Sequence, residues 1–151
     1  FNQAKTLVDL LMENKVEESQ SLIGTMLKEF LSVRNSGSEF YYHGFMTGVL
    51  GLACAAKGIE FFEEFESGNG ISDLILDSFA YKTACILELK KTKNVDDCFD
   101  AAQSATEQII KKDYASRFIS RRYKKVYGLG IGFAKKGCEI VPLGNLVEKR
   151  D

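Results

Sequence analysis

Tryptophan is absent from these 151 residues, and proline and histidine occur once each, at Pro142 and His43. A Ser-His-Asp triad or a multi-histidine zinc site would have to use His43, and nothing near it in sequence supports either. The four cysteines, Cys54, Cys85, Cys98 and Cys138, form no C-x-x-C pair, which excludes a zinc knuckle. They read as reduced structural thiols of an intracellular, cytoplasmic protein. No apolar run is long enough to span a bilayer, so no membrane role is expected. The start, Phe1-Asn2-Gln3-Ala4-Lys5, is not a signal peptide. It lacks an initiator Met and enters a helical pattern almost at once, which reads as a chain cut from a larger protein.

What is present suits one globular domain with a real core. Eleven phenylalanines and a formal net charge of −1 exclude intrinsic disorder. The near-neutral total hides an asymmetry. From Lys82 to Lys136 there are 13 basic and 6 acidic residues, a net of +7, and the rest of the chain carries −8. A basic second half points to an anionic partner for one face, beside the plainer reading of a solvated surface.

The periodicity predicts helices first. Leu22, Ile23, Met26, Leu27, Phe30 and Leu31 form an amphipathic stripe. After a break at Arg34-Asn35-Ser36-Gly37, Ser38 caps a helix that runs to about Lys57. Ile59 to Glu66 reads as a strand and Ser67-Gly68-Asn69-Gly70 as a turn. Asp73 to Asp77 alternates, with Leu74 and Leu76 on one side and Asp73, Ile75 and Asp77 on the other. Ala84 to Lys90 is a third strand. Asp96 and Asp97 cap a helix to about Lys112, its inner face made of Ala101, Ala102, Ala105 and Ile109. A basic stretch, Arg117 to Lys125, starts helical. Val126 to Ala134 and Cys138 to Val141 are strands around a tight Lys135-Lys136-Gly137 turn. The order predicts an α/β fold, a mixed β-sheet flanked by helices with extra N-terminal helices. Residues 1–37 read as a helical segment and 38–151 as the main domain.

The informative feature is the pair of strands around Asp73 and Glu88. A hairpin turning over Ser78 to Thr83 has its midpoint between Ala80 and Tyr81, and positions 73 and 88 are symmetric about it. They would face each other at roughly 5–6 Å between Cα atoms. Lys90 points to the same face as Glu88. Opposed carboxylates repel unless a cation lies between them. Mg²⁺ suits such oxygen ligands, can polarise a phosphodiester and can acidify a bound water. The Leu89 carbonyl offers a further ligand, and Lys90 a group to orient water or stabilise charge. Each part alone has a plainer reading: Glu-x-Lys as a surface ion pair, Asp73 as the end of a turn.

Together, Asp73 and Glu88-Leu89-Lys90 resemble the lone acid and (D/E)-x-K of the PD-(D/E)XK nuclease superfamily. Glu39-Phe40-Tyr41-Tyr42-His43-Gly44-Phe45, Glu66-Ser67-Gly68, Ala105-Thr106-Glu107-Gln108-Ile109 with Lys112 and Tyr114, and Tyr127-Gly128-Leu129-Gly130-Ile131-Gly132-Phe133 with Lys136 and Cys138 resemble one bacterial family within it. Its members often follow an AAA-ATPase-like domain. The likeness spans about residues 38–141. Ser72 stands where the name-giving proline would be, and Ile71 where the family usually has arginine.

The resemblance implies a restriction-endonuclease-like fold and metal-dependent phosphodiester cleavage, with Mg²⁺ or Mn²⁺ as cofactor and DNA as substrate. It implies Asp73 and Glu88 as metal ligands, Glu39 as an outer ligand, Lys90 as the residue assisting water, and Gln108 near metal or substrate. Lys112, Tyr114, Arg121 and Arg122 are expected to contact nucleic acid, with Lys111, Arg117, Lys124 and Lys125 beside them. An ATPase-like domain in the full chain and a homodimer are the implied partners. The rival reading is a catalytically silent module that binds nucleic acid or protein. No P-loop and no RNA-binding aromatic signature is present.

Overall fold

The computed structural model describes residues 1–30, 39–65 and 72–148, without the side chains of Glu39, Phe40, Phe65 and Ser72. The expected break at 34–37, the Ser38 cap, the turn at 67–70 and Ile71 lie outside the described residues.

Helices α1 (Asn2–Met12), α2 (Val16–Phe30) and α3 (Glu39–Ala56) come first. Ala4, Leu7, Val8 and Leu11 recur at helical spacing and bury one face of α1. In α2, Glu17 and Glu18 occupy the first turn and Lys28 the last, the arrangement that complements the helix dipole. Its buried face carries Ile23, Met26 and Leu27. Tyr42, Met46, Leu50 and Ala53 bury one face of α3. The ring of Tyr42 stacks on Phe133 at 4.7 Å, and its hydroxyl donates to the Lys135 carbonyl at 2.7 Å. That bond ties α3 to the end of the sheet.

The sheet holds β1 (Glu60–Phe65), β2 (Ser72–Ser78), β3 (Thr83–Lys91), β4 (Lys125–Ala134) and β5 (Gly137–Asn145), in spatial order 1-2-3-4-5. β3 and β4 are parallel and the other neighbours antiparallel. The crossover between the parallel strands carries α4 (Cys98–Lys111) and α5 (Tyr114–Ser120). The expected α/β architecture, a mixed sheet flanked by helices, is the one observed.

Three details differ from the sequence reading. Asp96 and Asp97 lie in a 3-10 turn, Val95–Asp97, and Asp97 precedes α4 without a side-chain cap bond. Strand β5 continues past Val141 through Pro142 to Asn145. It is the edge of the sheet, where a missing N–H is tolerated, and the pairing with β4 shifts register between Tyr127 and Leu129. Helix α5 begins at Tyr114, three residues before the basic stretch, and ends at Ser120.

The strand alternation sorts two cores. Leu74, Leu76, Cys85, Leu87, Leu89, Leu129 and Ile131 face α1–α3. Ile75, Ala84 and Ile86 face the other way, with Ile109, Tyr114, Phe118 and Tyr123. Close approach of α4 to this second face depends on two glycines. A Cβ on Gly130 would lie 2.1 Å from the Ala102 carbonyl, and one on Gly132 would lie 2.1 Å from the Cys98 carbonyl. With Ala101, Ala102 and Ala105 buried on the facing side, the α4 backbone rests almost directly on β4. Gly130 and Gly132 are register partners of Glu88 and Lys90, so this contact sets α4 beside those two residues.

Candidate active site

The β2–β3 register runs Leu74↔Leu87, Ile75↔Ile86, Leu76↔Cys85. It centres between Ala80 and Tyr81, as the sequence predicts, and sets Asp73 opposite Glu88. Both carboxylates lie on the α4–α5 face, by alternation with Ile75 and Ile86. Asp73 is fully buried and Glu88 is 5% exposed. Two buried carboxylates side by side are costly unless paired and hydrogen-bonded.

The pairing comes from Lys112. Its Nζ lies 3.0 Å from both Asp73 oxygens and 3.0 Å from Glu88 Oε2. Tyr114 adds a hydrogen bond from its hydroxyl to Asp73 Oδ2. Burial, then the bond to Asp73, holds the Tyr114 hydroxyl far above the usual phenol range, so it remains a donor. Both residues, expected to contact nucleic acid, turn inward onto Asp73. The cause is local. Asp113 between them has φ +48°, and this left-handed residue reverses the chain so that both neighbours reach one carboxylate.

The same device recurs nine residues later. Arg122 has φ +62°; before it, Arg121 lies 3.6 Å from Asp77, and after it the Tyr123 hydroxyl donates to Asp77. Helix α5 is thus fastened at both ends to β2. The two ends differ in one respect. Opposite Asp77 stands Ala84, whereas opposite Asp73 stands Glu88.

Lys90 projects from the Glu88 face, and its Nζ donates to Ser104 Oγ at 2.8 Å. Ser104, Gln108 and Lys112 are four apart and form one row along α4. Ser104 at one end bonds Lys90 and Lys112 at the other bonds the carboxylates; Gln108 between them is half-buried. Leu89 lies between Glu88 and Lys90, with its side chain in the opposite core. The Glu39 side chain lies outside the described residues. Glu64 pairs in register with Asp73 and binds Arg117, an exposed ion pair of little energetic weight. Arg121 and Arg122 are exposed beyond α5, where Lys124 and Lys125 also lie at the surface.

A family model of the PD-(D/E)XK nuclease superfamily matches residues 37–142, more than half of the chain. The chain belongs to that superfamily. No curated protein and no solved structure matches it.

The residues fit a divalent ion. The donors are hard carboxylate oxygens, and they already gather around one positive charge, the Lys112 ammonium, which stands where a cation would sit. Among the described residues no third His, Cys, Asp or Glu joins them. A site with two protein carboxylates is usual for Mg²⁺, which keeps several waters.

Proposed function

We propose that the chain is a metal-dependent nuclease acting on DNA, with Mg²⁺ or Mn²⁺ as cofactor. The observation that carries the reading is the convergence of Asp73 and Glu88 on a single positive charge, with Lys90 on the same face. Asp73, Glu88 and the Leu89 carbonyl would hold the ion; a bound divalent ion supplies Lewis acidity toward a phosphate and acidifies water. Lys90 is the catalytic cation. Tethered to Ser104, it is kept beside Glu88, where it orients the attacking water and favours developing negative charge. Gln108 positions water or phosphate from the α4 row. Tyr114 fixes the Asp73 carboxylate, because one of its oxygens is committed to the phenol hydrogen bond.

Arg121, Arg122, Lys124 and Lys125 form an exposed basic surface suited to phosphates. Residues 38–151 would constitute the nuclease unit, with α1 and α2 as a packing extension. An ATPase-like domain and a second copy of the chain belong to the same reading. A cleavage panel tests it: single- and double-stranded DNA and RNA, each with Mg²⁺, Mn²⁺ or EDTA. Metal-dependent cutting that EDTA abolishes is expected, and cutting of RNA alone would overturn the choice of DNA.

One observation favours the rival reading of a silent binding module. Lys112 already bonds both carboxylates and offsets one of their two negative charges. The two readings separate on whether a divalent ion binds at all.

A further inference from the structure

We infer that Lys112 is a displaceable counter-ion built into the carboxylate pair, so that it sets the metal affinity of the site from within. The inference rests on the reading of Asp73 and Glu88 as metal ligands.

Three observations carry it. The first is the overlap of positions. The ammonium is 3.0 Å from three oxygens belonging to two different carboxylates. A divalent ion held by those carboxylates would use the same oxygens. Both cations would occupy one gap, and like charges at such separations repel strongly. Loading therefore requires the ammonium to leave.

The second observation is the internal comparison. Arg121 and Tyr123 fasten the far end of α5 on Asp77, whose β3 partner is Ala84 and whose β1 partner is Glu60. Lys112 and Tyr114 fasten the near end on Asp73 in the same way, yet the ammonium also takes Glu88. Docking α5 does not call for that second contact. Holding two buried carboxylates side by side, by offsetting one of their two charges, does.

The third is the ease of leaving. Lys112 follows the last residue of α4, and its side chain retains 17% exposure, against 0% for Asp73. A flexible four-carbon stem beside solvent can swing outward. Tyr114 stays on Asp73 and the Asp77 clamp stays closed, so α5 need not undock. The ammonium once released remains at the mouth of the site, where it can meet a phosphate.

The test is Mn²⁺ titration by calorimetry on the full chain, wild type beside Lys112→Met. The variant is expected to bind Mn²⁺ about tenfold more tightly or better, a difference of about 1.4 kcal/mol or more. A second measurement needs no variant and decides the matter if Lys112→Met does not fold. Amine acylation of the wild-type chain, read by mass spectrometry, should rise several-fold at Lys112 when Mn²⁺ is added, with exposed Lys111 unchanged as the internal standard. Equal Mn²⁺ affinities in the two proteins, or unchanged Lys112 acylation at saturating Mn²⁺, would overturn the inference and leave the metal site standing. Absence of Mn²⁺ binding in both proteins would overturn the metal reading, and this inference with it.

Discussion

Asp73 and Glu88 face each other from β2 and β3 and share one ammonium, which lies 3.0 Å from an oxygen of each. Around that contact the neighbouring groups are ordered: the hairpin sets the carboxylates opposite, two glycines let α4 approach, and Ser104 reaches Lys90 while Lys112 reaches the carboxylates. Consequences for stability and activity follow from each part.

Gly130→Ala should destabilise the protein by about 3 kcal/mol or more, because the new Cβ meets backbone rather than a movable side chain. Gly132→Ala should behave alike. At Gly128 the nearest atoms are the ends of Leu143, Leu146 and Ile109, at 3.1 to 3.4 Å, and alanine there should cost about 1 kcal/mol or less. Urea denaturation of the three variants separates these cases. Equal losses would contradict the close α4–β4 contact.

Tyr123 predicts a pH dependence. Burial and its bond to Asp77 push its hydroxyl up to about 12, so the folded chain holds the proton more tightly than the unfolded one. Where the unfolded state binds fewer protons, stability falls as pH rises. This contribution is fully present below about pH 10, the ordinary phenol value, and is lost as pH climbs toward 12. Melting temperatures at pH 8, 10 and 11 should decline, and the decline should be shallower in Tyr123→Phe. An identical slope in the variant would count against the buried hydrogen bond.

The thiols should be sluggish. Burial pushes Cys54 and Cys138 up to about 12 and also raises Cys85 and Cys98. At pH 8 a disulfide reagent should react slowly with the native chain and rapidly with all four cysteines in denaturant. Cys138 is half-buried while the other three are buried, so it should be modified first. Peptide mapping gives the order, and early modification of Cys85 would contradict the sheet core.

Removing the counter-ion should cost the metal-free fold. Lys112→Met leaves Asp73 and Glu88 buried without their ammonium, a loss of about 3 kcal/mol. Saturating Mn²⁺ should restore much of it, since a ligand that binds only the folded state stabilises that state. Thermal melts with and without Mn²⁺ check both halves.

Much of this arrangement is legible in the sequence. Symmetry about Ala80 and Tyr81 fixes the β2–β3 register, and alternation from Asp73 to Asp77 assigns the carboxylate face. The alanines of α4 mark its inner face, whereas the part of the alternating β4 glycines shows only in the structure. The inward turn of Lys112 and Tyr114 is another matter. A lysine at a helix C-terminus reads as a solvated cation that suits the dipole. Only a left-handed Asp113 redirects it, and Asp is enriched there without requiring it. A signal did exist: cation-x-Tyr occurs at Lys112–Tyr114 and again at Arg121–Tyr123, matched by Asp73 and Asp77 four residues apart on β2. Neither half means anything until the register shows which carboxylate each pair can reach. The length of β5 was hidden for a simpler reason, since Pro142 breaks a strand unless it lies at an edge.

The most direct test of the account is single-turnover cleavage of the preferred DNA substrate, at saturating Mn²⁺, by wild type, Lys90→Ala and Glu88→Gln, with Mn²⁺ binding measured on the same samples. The account predicts that Lys90→Ala binds Mn²⁺ as wild type does but cuts at least about 100-fold more slowly, and that Glu88→Gln loses both binding and cutting. Wild-type cutting rates in Lys90→Ala, or intact Mn²⁺ binding in Glu88→Gln, would contradict it.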